Sequence, residues 1–481
     1  MTADAPILTV DAGTSSLRAM LFDRAGRVLS ASQQAYPPLT EAPGCMVHDP
    51  EALWRAFSRA VRACVLGAGS PDIAAVSVGT YLHAVMPVDS RSRSLHPFLL
   101  WGDRRAAGQA RRMRALPRTG CPPHASFPIA KIRWFAETRP AIHRRAARWI
   151  SPKAFLLGRL TGRAVEDEAT ASATGLYDIV RRRFSAPALA IAGIDRAKLP
   201  EVVPVEARAG TVRAEAVHET ALPQGTLVLA GSGDGMLANL GAGAVAPGDL
   251  CVTIGTSAAL RLVAQRPVLD PAHRLFCYVL DGKRYVAGGA SNNGGAALSW
   301  CRARFLDGIG EDDLGPRAAP SATLFLPFLD GERAPDWDAS LSGAIVGFRQ
   351  ELDPRELYLA LVRGICFNLR RILERLEDRA GSVRRIVLSG GAFRSRLLCN
   401  TLADVLGRTL QLPEDLEASS RGGFVLASRV LGRRLPRSTR ARAIRPQPRL
   451  HRKHDASYSA YVEACDALRP VWRRIESLRL R

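Results

Sequence analysis

The sequence predicts an α/β protein built from two related domains. A repeat is the first observation: VDAGTSSLRAML at 10–21 resembles VTIGTSAALRLV at 252–263 in residue type and order. Each copy predicts a strand, a tight Gly-Thr-Ser turn and a returning strand. Size is the second, because 481 residues with 47% hydrophobic content are enough for two cores. Strand and helix patterns alternate along the chain, so each domain should combine a sheet with helices.

The two hairpins also indicate a ligand. A turn with small hydroxyl residues can offer backbone N–H groups and hydroxyls to a phosphate. One such hairpin is a weak signal. Two in one chain suggest a duplicated domain with a nucleotide held between the halves.

The chain is strongly basic, with a formal net charge of +22 at pH 7. Arginine supplies nearly all of it, and lysine occurs only at Lys131, Lys153, Lys198, Lys283 and Lys453. Arginines scattered among many alanines indicate a coding bias more than a nucleic-acid groove, and the same field would suit an anionic small substrate. The basic segment 433–453 is interpreted as solvated charge, with a nucleic-acid arm as the alternative.

Cysteine usage and the first residues indicate a cellular location. The nine cysteines occur singly, so neither a disulfide framework nor a structural metal is indicated. The chain enters its first strand by about Ile7, which leaves no room for a signal peptide, and no apolar run approaches the roughly 20 residues of a membrane span. We expect a cytoplasmic protein without a membrane partner, and a homodimer is left open.

The chain begins with a predicted antiparallel meander. Residues 7–10 and 17–22 form the first hairpin, and 27–35 should add a third strand. Asp11 falls at the end of the first strand, where a carboxylate can hold Mg²⁺ through water. The alternative is a turn aspartate that satisfies local N–H groups. A helix over 50–66 and a strand over 73–78 follow.

Polar and aromatic residues then suggest a polyol site. His83 follows the strand, and Trp101, Asp103 and Arg104 lie in one short segment. Aromatic faces contact the C–H surface of a sugar, and charged groups bind its hydroxyls. His124 lies in a proline-rich loop that would hold its side chain in place. For a lone histidine or tryptophan, a place in the core is the commoner explanation.

Asp234 is the best candidate for a catalytic acid or base. It follows the apolar run 226–230 and stands among glycines, which leave a carboxylate open to substrate. The alternative is that the glycines make a turn and Asp234 caps the helix over 235–240. A Pro-Gly turn at Pro247 and Gly248 then suggests the domain boundary, giving domains over 1–247 and 248–481.

The second half contains two glycine-rich loops between a strand and a helix. The first follows a strand at 285 and leads into a helix over 296–305. The second, at 389–392, joins the strand 383–388 to the helix 395–406. Open backbone of this kind can lie against a nucleotide base or ribose.

The order of these parts resembles the FGGY family of carbohydrate kinases over nearly the whole chain. The segments that carry the resemblance are DAGTSS at 11–16, WGDRR at 101–105, GSGDG at 231–235, TIGTS at 253–257, GERAPDWD at 331–338 and LSGGAFRSRLLCNTLADVLG at 388–407. The resemblance implies two ribonuclease-H-like α/β domains, of the type found in actin, hexokinase and the heat-shock 70 ATPases, that flank a catalytic cleft. An enzyme would then bind ATP mainly on the second domain and a sugar mainly on the first.

The resemblance also implies roles for single residues. Asp234 would take the proton from the sugar hydroxyl and, with Asp11, would help to place Mg²⁺. The substrate site would include His83, Trp101, Asp103, Arg104, His124 and Asp234. The residues around the nucleotide would be Thr14, Ser15, Ser16, Arg18, Gly255, Thr256, Ser257, Gly295, Gly390, Gly391 and Ala392.

Within the family, the chain is most similar to gluconate kinases. TGCPPH at 119–124, DGMLANLG at 234–241 and GGASNNGG at 288–295 carry this likeness, whereas residues 125–127 depart from the usual pattern. Gluconate has a carboxylate, so its site should contain a cation, for which Arg104, Lys131 and Arg333 are candidates. The alternatives are a kinase for xylulose, ribulose or another polyol, and a catalytically silent, nucleotide-gated binding protein.

Overall fold

The computed structural model describes residues 4–40, 42, 44–113, 118–310, 312–350, 352–435 and 441–479. The chain divides into two compact units, each of which contains strands and helices. The first unit comprises Met1–Gly243, Ala264–Val286 and Ala418–Ser438, and the second comprises Ala244–Val263, Ala287–Glu417 and Thr439–Arg481. The sequence predicts one boundary, at 247/248. In the structure, Ala264–Val286 and Ala418–Ser438, which follow that boundary, belong to the first unit.

The elements up to Gly241 belong to the first unit. Its strands are β1 (Ile7–Ala12), β2 (Ser16–Phe22), β3 (Val28–Ala35), β4 (Val47–His48), β5 (Ala75–Thr80), β6 (Met86–Val88), β7 (Phe98–Leu99), β8 (Arg148–Ile150), β9 (Val165–Asp167), β10 (Tyr177–Asp178), β11 (Arg183–Phe184), β12 (Glu201–Val203), β13 (Arg208–Thr211) and β14 (Leu227–Gly233). Its helices are α1 (Pro50–Gly67), α2 (Ala107–Arg112), α3 (Pro128–Thr138), α4 (Pro140–Arg145), α5 (Pro152–Thr161), α6 (Glu168–Ser172), α7 (Ala186–Ala192), α8 (Ala214–Thr220) and α9 (Asp234–Gly241).

The remaining elements follow residue 248. The strands are β15 (Asp249–Ile254), β16 (Ala258–Ala264), β17 (Phe276–Val279), β18 (Tyr285–Ser291), β19 (Leu324–Leu326), β20 (Ala344–Val346), β21 (Arg385–Ser389), β22 (Leu410–Pro413) and β23 (Ala441–Ile444). The helices are α10 (Gly295–Phe305), α11 (Pro354–Ala380), α12 (Arg396–Leu406), α13 (Ala418–Val430) and α14 (Pro448–Arg479). Of these, β17 and α13 belong to the first unit.

The sheet of the first unit has the strand order β13-β14-β5-β1-β2-β3. The meander β1-β2-β3 is antiparallel, as predicted, and β5 and β14 run parallel to β1. Helix α1 begins where Asp49 accepts hydrogen bonds from two backbone N–H groups of the first turn and Pro50 opens the helix. Its apolar face, with Leu53, Phe57 and Val61, is buried in the main core of this unit.

The second unit repeats this arrangement. Six neighbouring strands have the order β18-β16-β15-β21-β22-β23. The hairpin β15-β16 is antiparallel, and β21 and β22 run parallel to β15. The Gly-Thr-Ser hairpins therefore occupy equivalent positions in two sheets of the same order. The predicted duplicated ribonuclease-H-like α/β fold is confirmed.

The basic segment 433–453 is only partly described. Residues 436–440 lie outside the described residues. Strand β23 and the beginning of helix α14 follow them, so much of the segment belongs to ordered elements of the second unit. None of the helices in the described ranges is long and apolar enough to cross a membrane.

The end of β14 departs from a regular strand. Its pairing with β5 shifts register between Leu229 and Ser232. Gly231 lies at this bulge with a φ of +71°, and a Cβ there would overlap the carbonyl oxygen of Val78. Behind the strand, α9 and α13 approach so closely that a Cβ on Gly422 would overlap the carbonyl oxygen of Leu237. The backbone around the start of α9 is therefore fixed on both sides.

His454 is a buried polar side chain of the second unit. It lies on α14 with 0% exposure, and neither ring nitrogen has a hydrogen-bond partner among the described residues. Burial, together with the charge of Arg363, lowers the pKa of His454 to about 4. Between about pH 4 and 6.5, this imidazole is therefore neutral in the folded protein and protonated in the unfolded chain.

We expect Gly231→Ala to destabilise the protein much more than Gly225→Ala. Gly225 has a φ of +80° but open space around its Cβ, so its substitution should cost only about 1 kcal/mol of backbone strain. Alanine at Gly231 adds steric overlap to the same strain and should cost about 3 kcal/mol or more. Urea unfolding measures both. Equal losses would contradict the described bulge.

We expect the free energy of unfolding to fall as pH decreases from about 6.5 towards 4. The pKa of His454 is depressed in the folded state, so protons bind preferentially to the unfolded chain in this window. His454→Leu should remove at most about 3 kcal/mol of this loss. Urea titrations at pH 7.5, 6 and 5 measure the effect. His218→Leu, on the exposed surface of α8, is the matched control and should leave the pH dependence unchanged.

Candidate active site

Three parallel strands of the first unit end at one edge of the sheet. In their register, Asp11 on β1 lies opposite Gly79 on β5, and Gly79 lies opposite Ser232 on β14. Because parallel strands place their carboxyl ends together, Asp11 and the residue that follows β14, Asp234, come to the same edge. Burial raises the pKa of the Tyr36 hydroxyl, and the charges of both carboxylates raise it as well.

Asp234 is the first residue of α9 and is partly exposed. Gly233 takes the N-cap position without a side-chain hydrogen bond, so Asp234 is not the cap of this helix. Its Oδ1 accepts the N–H of Gly235 at 2.6 Å. This geometry presents a carboxylate on the first turn of a helix whose backbone is held by the neighbouring helix α13.

Asp11 has the features of a metal-positioning carboxylate. Its Oδ2 accepts a hydrogen bond from the hydroxyl of Ser419, and its Oδ1 is buried with no hydrogen-bond partner among the described residues. Burial raises its pKa, because the charged form is disfavoured there. The described residues contain no cluster of three or more His, Cys, Asp or Glu side chains suited to a metal. Mg²⁺ is commonly held by one or two carboxylates together with substrate phosphates, so Asp11 and Asp234 fit this ion.

The first Gly-Thr-Ser turn is held from three directions. The N–H of Gly13 donates to the carbonyl of Ser16 at 3.0 Å and closes the turn. The indole Nε1 of Trp101 donates to the hydroxyl of Thr14 at 3.1 Å. The hydroxyl of Tyr36 donates to the carbonyl of Gly13. Trp101 therefore joins the predicted sugar segment to the predicted phosphate turn.

Three more predicted nucleotide residues, Ser15, Ser16 and Arg18, lie in or beside this turn. Ser15 is exposed, and its carbonyl accepts the N–H of Tyr36 at 3.1 Å. Arg18, on β2, donates to Gln33, and Gln33 in turn donates to the hydroxyl of Ser16 at 3.0 Å. The cation at position 18 is thus oriented on the same hairpin as the turn.

Sequence reasoning missed the aromatic cluster beneath this turn. The rings of Tyr36 and His48 lie 4.8 Å apart, and Nδ1 of His48 lies 2.7 Å from the hydroxyl of Tyr81. Burial lowers the pKa of His48 to about 4, so the cluster stays neutral beside the two carboxylates. Only the tertiary structure brings these three distant residues together, and no local motif marks them.

His83 and His124 are brought together through Lys131. The Nζ of Lys131 donates to the carbonyl of His83 at 2.6 Å and to that of Ser126 at 2.8 Å. His83 adopts a φ of +68°, and Nδ1 of His124 lies 2.9 Å from the hydroxyl of Ser126. Burial lowers the pKa of Lys131 to about 7. Its amine is enclosed by carbonyls, which does not suit the binding of a substrate carboxylate.

The WGDRR segment divides into a buried and an exposed part. Asp103 is 0% exposed and accepts hydrogen bonds from the N–H of Met46 at 3.0 Å and from the Arg105 guanidinium at 2.8 Å. This buried ion pair holds the segment in place, so a role for Asp103 in sugar binding would be indirect. Arg104 is exposed and directly precedes the paired Arg105. Among the three cations predicted to bind a substrate carboxylate, Arg104 is the most exposed to solvent.

In the second unit, the predicted nucleotide residues also lie together. The turn at 255–257 is closed by the N–H of Gly255, which donates to the carbonyl of Ser257 at 2.9 Å. The N–H of Gly295, at the start of α10, donates to the carbonyl of Gly255 at 2.8 Å. Thr253 pairs with Ser389, which immediately precedes the loop at 390–392. The other predicted nucleotide residues of this unit are Thr256, in the turn, and Gly390, Gly391 and Ala392, in the loop after β21.

A buried carboxylate fixes the GERAPDWD loop in the second unit. Glu332 accepts hydrogen bonds from the hydroxyl of Ser291 at 2.6 Å and from the amide of Asn368 at 2.9 Å. Burial raises the pKa of Glu332 to about 6. The Nε of Arg333 donates to Asn292 at 2.7 Å, so this third candidate cation belongs to the network that joins the loop to the end of β18.

Comparison with known proteins shows that the chain is similar to carbohydrate kinases. The sequence models of the FGGY family of carbohydrate kinases match residues 6–241 with the N-terminal domain and residues 250–431 with the C-terminal domain. The chain is 30% identical over 450 residues to a gluconokinase of Bacillus subtilis, covering 89% of the chain and 88% of the relative. It is 33% identical over 440 residues to a xylulose kinase of Streptomyces rubiginosus, covering 89% of each.

A solved structure leads to the same family. The gluconate kinase of Lactobacillus acidophilus superposes with a TM-score of 0.91 at 25% identity and covers 98% of this chain and 100% of its own. The family models together match well over half of the chain, and they include both the Asp234 segment and the second glycine-rich turn. The chain therefore belongs to the FGGY family of carbohydrate kinases, as its motifs predicted.

Proposed function

We propose that this kinase transfers the terminal phosphoryl group of ATP to D-gluconate and produces 6-phosphogluconate. The observation that carries the proposal is the placement of Asp234 at the strand edge that also holds Asp11 and the Thr14 turn. The similarity to gluconokinases and the TGCPPH, DGMLANLG and GGASNNGG segments support gluconate as the acceptor.

Phosphoryl transfer depends mainly on alignment and charge, since the reaction needs little covalent help from the protein. In our proposal the carboxylate of Asp234 takes the proton of the sugar hydroxyl as that oxygen attacks the phosphorus atom. Asp11 and Asp234 would hold Mg²⁺, which neutralises phosphate charge when it is bound. The hydroxyls and N–H groups of the turn at Thr14 would orient phosphate oxygens, and Trp101 fixes that turn.

The second unit supplies the remaining nucleotide contacts in this proposal. The hydroxyls of Thr256 and Ser257 offer donors to an anion, and the positive end of the helix dipole of α10 favours negative charge beside the turn. The loop at 390–392 provides backbone without bulky side chains for the nucleoside. The cytoplasmic location and a homodimer, both raised by the sequence, stay predictions within this proposal.

Xylulose is the second candidate acceptor, because the xylulose kinase of S. rubiginosus is as similar to this chain as the gluconokinase. We favour gluconate since Arg104 is an exposed cation next to the predicted sugar residue Trp101. An ADP-release assay with gluconate, xylulose, ribulose, glycerol and erythritol separates the candidates. A higher kcat/KM for gluconate is the expected result, and preference for a neutral sugar would move the assignment within the family.

We expect Asp234→Asn to lower kcat by about 10² to 10⁴, the usual contribution of a general base. Asparagine keeps the shape of the side chain but accepts no proton at neutral pH. The affinity for ATP should be nearly unchanged, which isothermal titration calorimetry measures. Full turnover in this variant would exclude Asp234 as the base.

We expect Arg104→Gln to raise the KM for gluconate by about tenfold or more, because a charged hydrogen bond to a carboxylate is lost. The KM for any neutral sugar that is turned over should change little. Arg111→Gln on α2 is the matched control, since Arg111 is also exposed and is not among the proposed substrate residues. Similar effects on gluconate and on neutral sugars would argue against a carboxylate contact.

A further inference from the structure

Lysine is rare in this chain, and its placement is informative. Of 67 lysines and arginines, only five are lysine, so 62 are arginine. Two of the five, Lys131 and Lys153, are among the largest fully buried side chains of the protein, at 0% exposure. Both lie in the first unit. Two of the few lysines therefore occupy buried positions beside the candidate active site.

Lys131 joins the segments that carry the predicted sugar residues. Its Nζ donates to the carbonyls of His83 at 2.6 Å, Ser126 at 2.8 Å and Leu99 at 3.4 Å. These carbonyls come from three separate stretches of chain: the loop after β5, the loop that contains His124, and the end of β7. One nitrogen atom therefore fixes the distances between them.

Lys153 has the same kind of environment behind the catalytic edge. Its Nζ donates to the carbonyls of Ala230 and Ser232, each at 3.0 Å, and to the carbonyl of Val78. Ala230 and Ser232 flank the bulge of β14, directly before Asp234. The buried carboxylate of Asp167 lies 3.6 Å from Nζ and balances its charge.

The ammonium group suits these positions better than a guanidinium group. When protonated, it presents three N–H donors from one tetrahedral atom, whereas arginine presents five donors in a plane. The second unit provides a contrast, because buried Arg363 donates from Nη1 to the carbonyl of Ala319 and from Nη2 to the carbonyl of Thr323 and the carboxylate of Glu356. Three convergent carbonyls suit the single nitrogen of lysine, and acceptors spread over a plane suit arginine.

We propose that Lys131 and Lys153 are positioning residues that hold two different parts of the site. Lys131 fixes the sugar-binding segments of His83 and His124, and Lys153 fixes the strand end that carries Asp234. The inference rests on the proposed function, because it uses these segments as the acceptor site and Asp234 as the base. It assigns to each lysine a separate kinetic effect.

The experiment compares Lys131→Met and Lys153→Met, with whichever sugar the wild-type enzyme phosphorylates best. Displacement of about 1 Å in a reacting group can lower the rate by about 100-fold. Lys153→Met should therefore lower kcat by about 100-fold and leave the sugar KM within about threefold. Lys131→Met should raise the sugar KM by about tenfold or more, with kcat and the ATP KM nearly unchanged.

Lys198→Met is the matched control. Lys198 is half-buried, and its Nζ donates to the carbonyl of His143 at 3.4 Å. All kinetic constants should keep their wild-type values in this variant. If a methionine variant does not accumulate as folded protein, Lys131→Arg and Lys153→Arg repeat the test with the charge retained. They should show the same separation, because the planar group cannot reach the three carbonyls from one atom.

Hydrogen exchange measured by mass spectrometry gives a readout independent of turnover. Lys131→Met should speed exchange in segments 83–85 and 124–128, and Lys153→Met should speed it in 230–236, each leaving the other segment protected. Equal kinetic losses in both variants, wild-type kinetics in both arginine variants, or unchanged exchange would overturn the inference. Absence of phosphorylation of every sugar by the wild type would instead overturn the proposed function, and the exchange pattern would still decide the positioning roles.

Discussion

The carbonyl groups at the end of β14 impose the constraint on which the first unit depends. The bulge between Leu229 and Ser232 breaks the regular ladder with β5, and the carbonyls around it lie in a dry interior. A buried carbonyl without a donor costs about 1 to 3 kcal/mol, and Lys153 satisfies two carbonyls at the bulge, those of Ala230 and Ser232, together with that of Val78 on β5. Asp234 follows immediately. The backbone that carries the proposed base is therefore held in part by the satisfaction of these carbonyl groups.

The same principle organises the rest of the catalytic edge. The turn at Thr14 is held by donors from Trp101 and Tyr36, which belong to different stretches of the chain. Lys131 ties the sugar segments through carbonyls, and in the second unit Glu332 ties a loop through several donors. In each case a buried polar group with several partners fixes a flexible segment. Loss of one partner would leave a buried polar group unsatisfied and would cost free energy, so these groups hold the segments in one arrangement.

Basic residues are used differently at the surface and in the interior. At the surface, nearly all of them are arginine. In the interior, Lys131 and Lys153 donate from one nitrogen to convergent carbonyls, whereas Arg363 donates to a carboxylate and to two carbonyls through two nitrogens. The strongly basic net charge is thus compatible with a small-molecule enzyme, since few of the 67 lysines and arginines belong to the proposed site.

Local pattern by itself determined the two hairpins, their duplication, the α/β class and the family, because turn chemistry and strand periodicity are short-range properties. It also placed Asp11, Asp234 and both Gly-Thr-Ser turns at strand ends, which the sheets confirm. Only the tertiary structure decided that Asp103 is a buried ion-pair partner, that Lys131 is enclosed by carbonyls, and that Tyr36, His48 and Tyr81 form one cluster. These features depend on contacts between residues far apart in the chain, and no spacing encodes them. The sequence singled out Lys131 as a candidate cation and showed that lysine is rare, but only the structure showed that Lys131 and Lys153 are buried and donate to carbonyls.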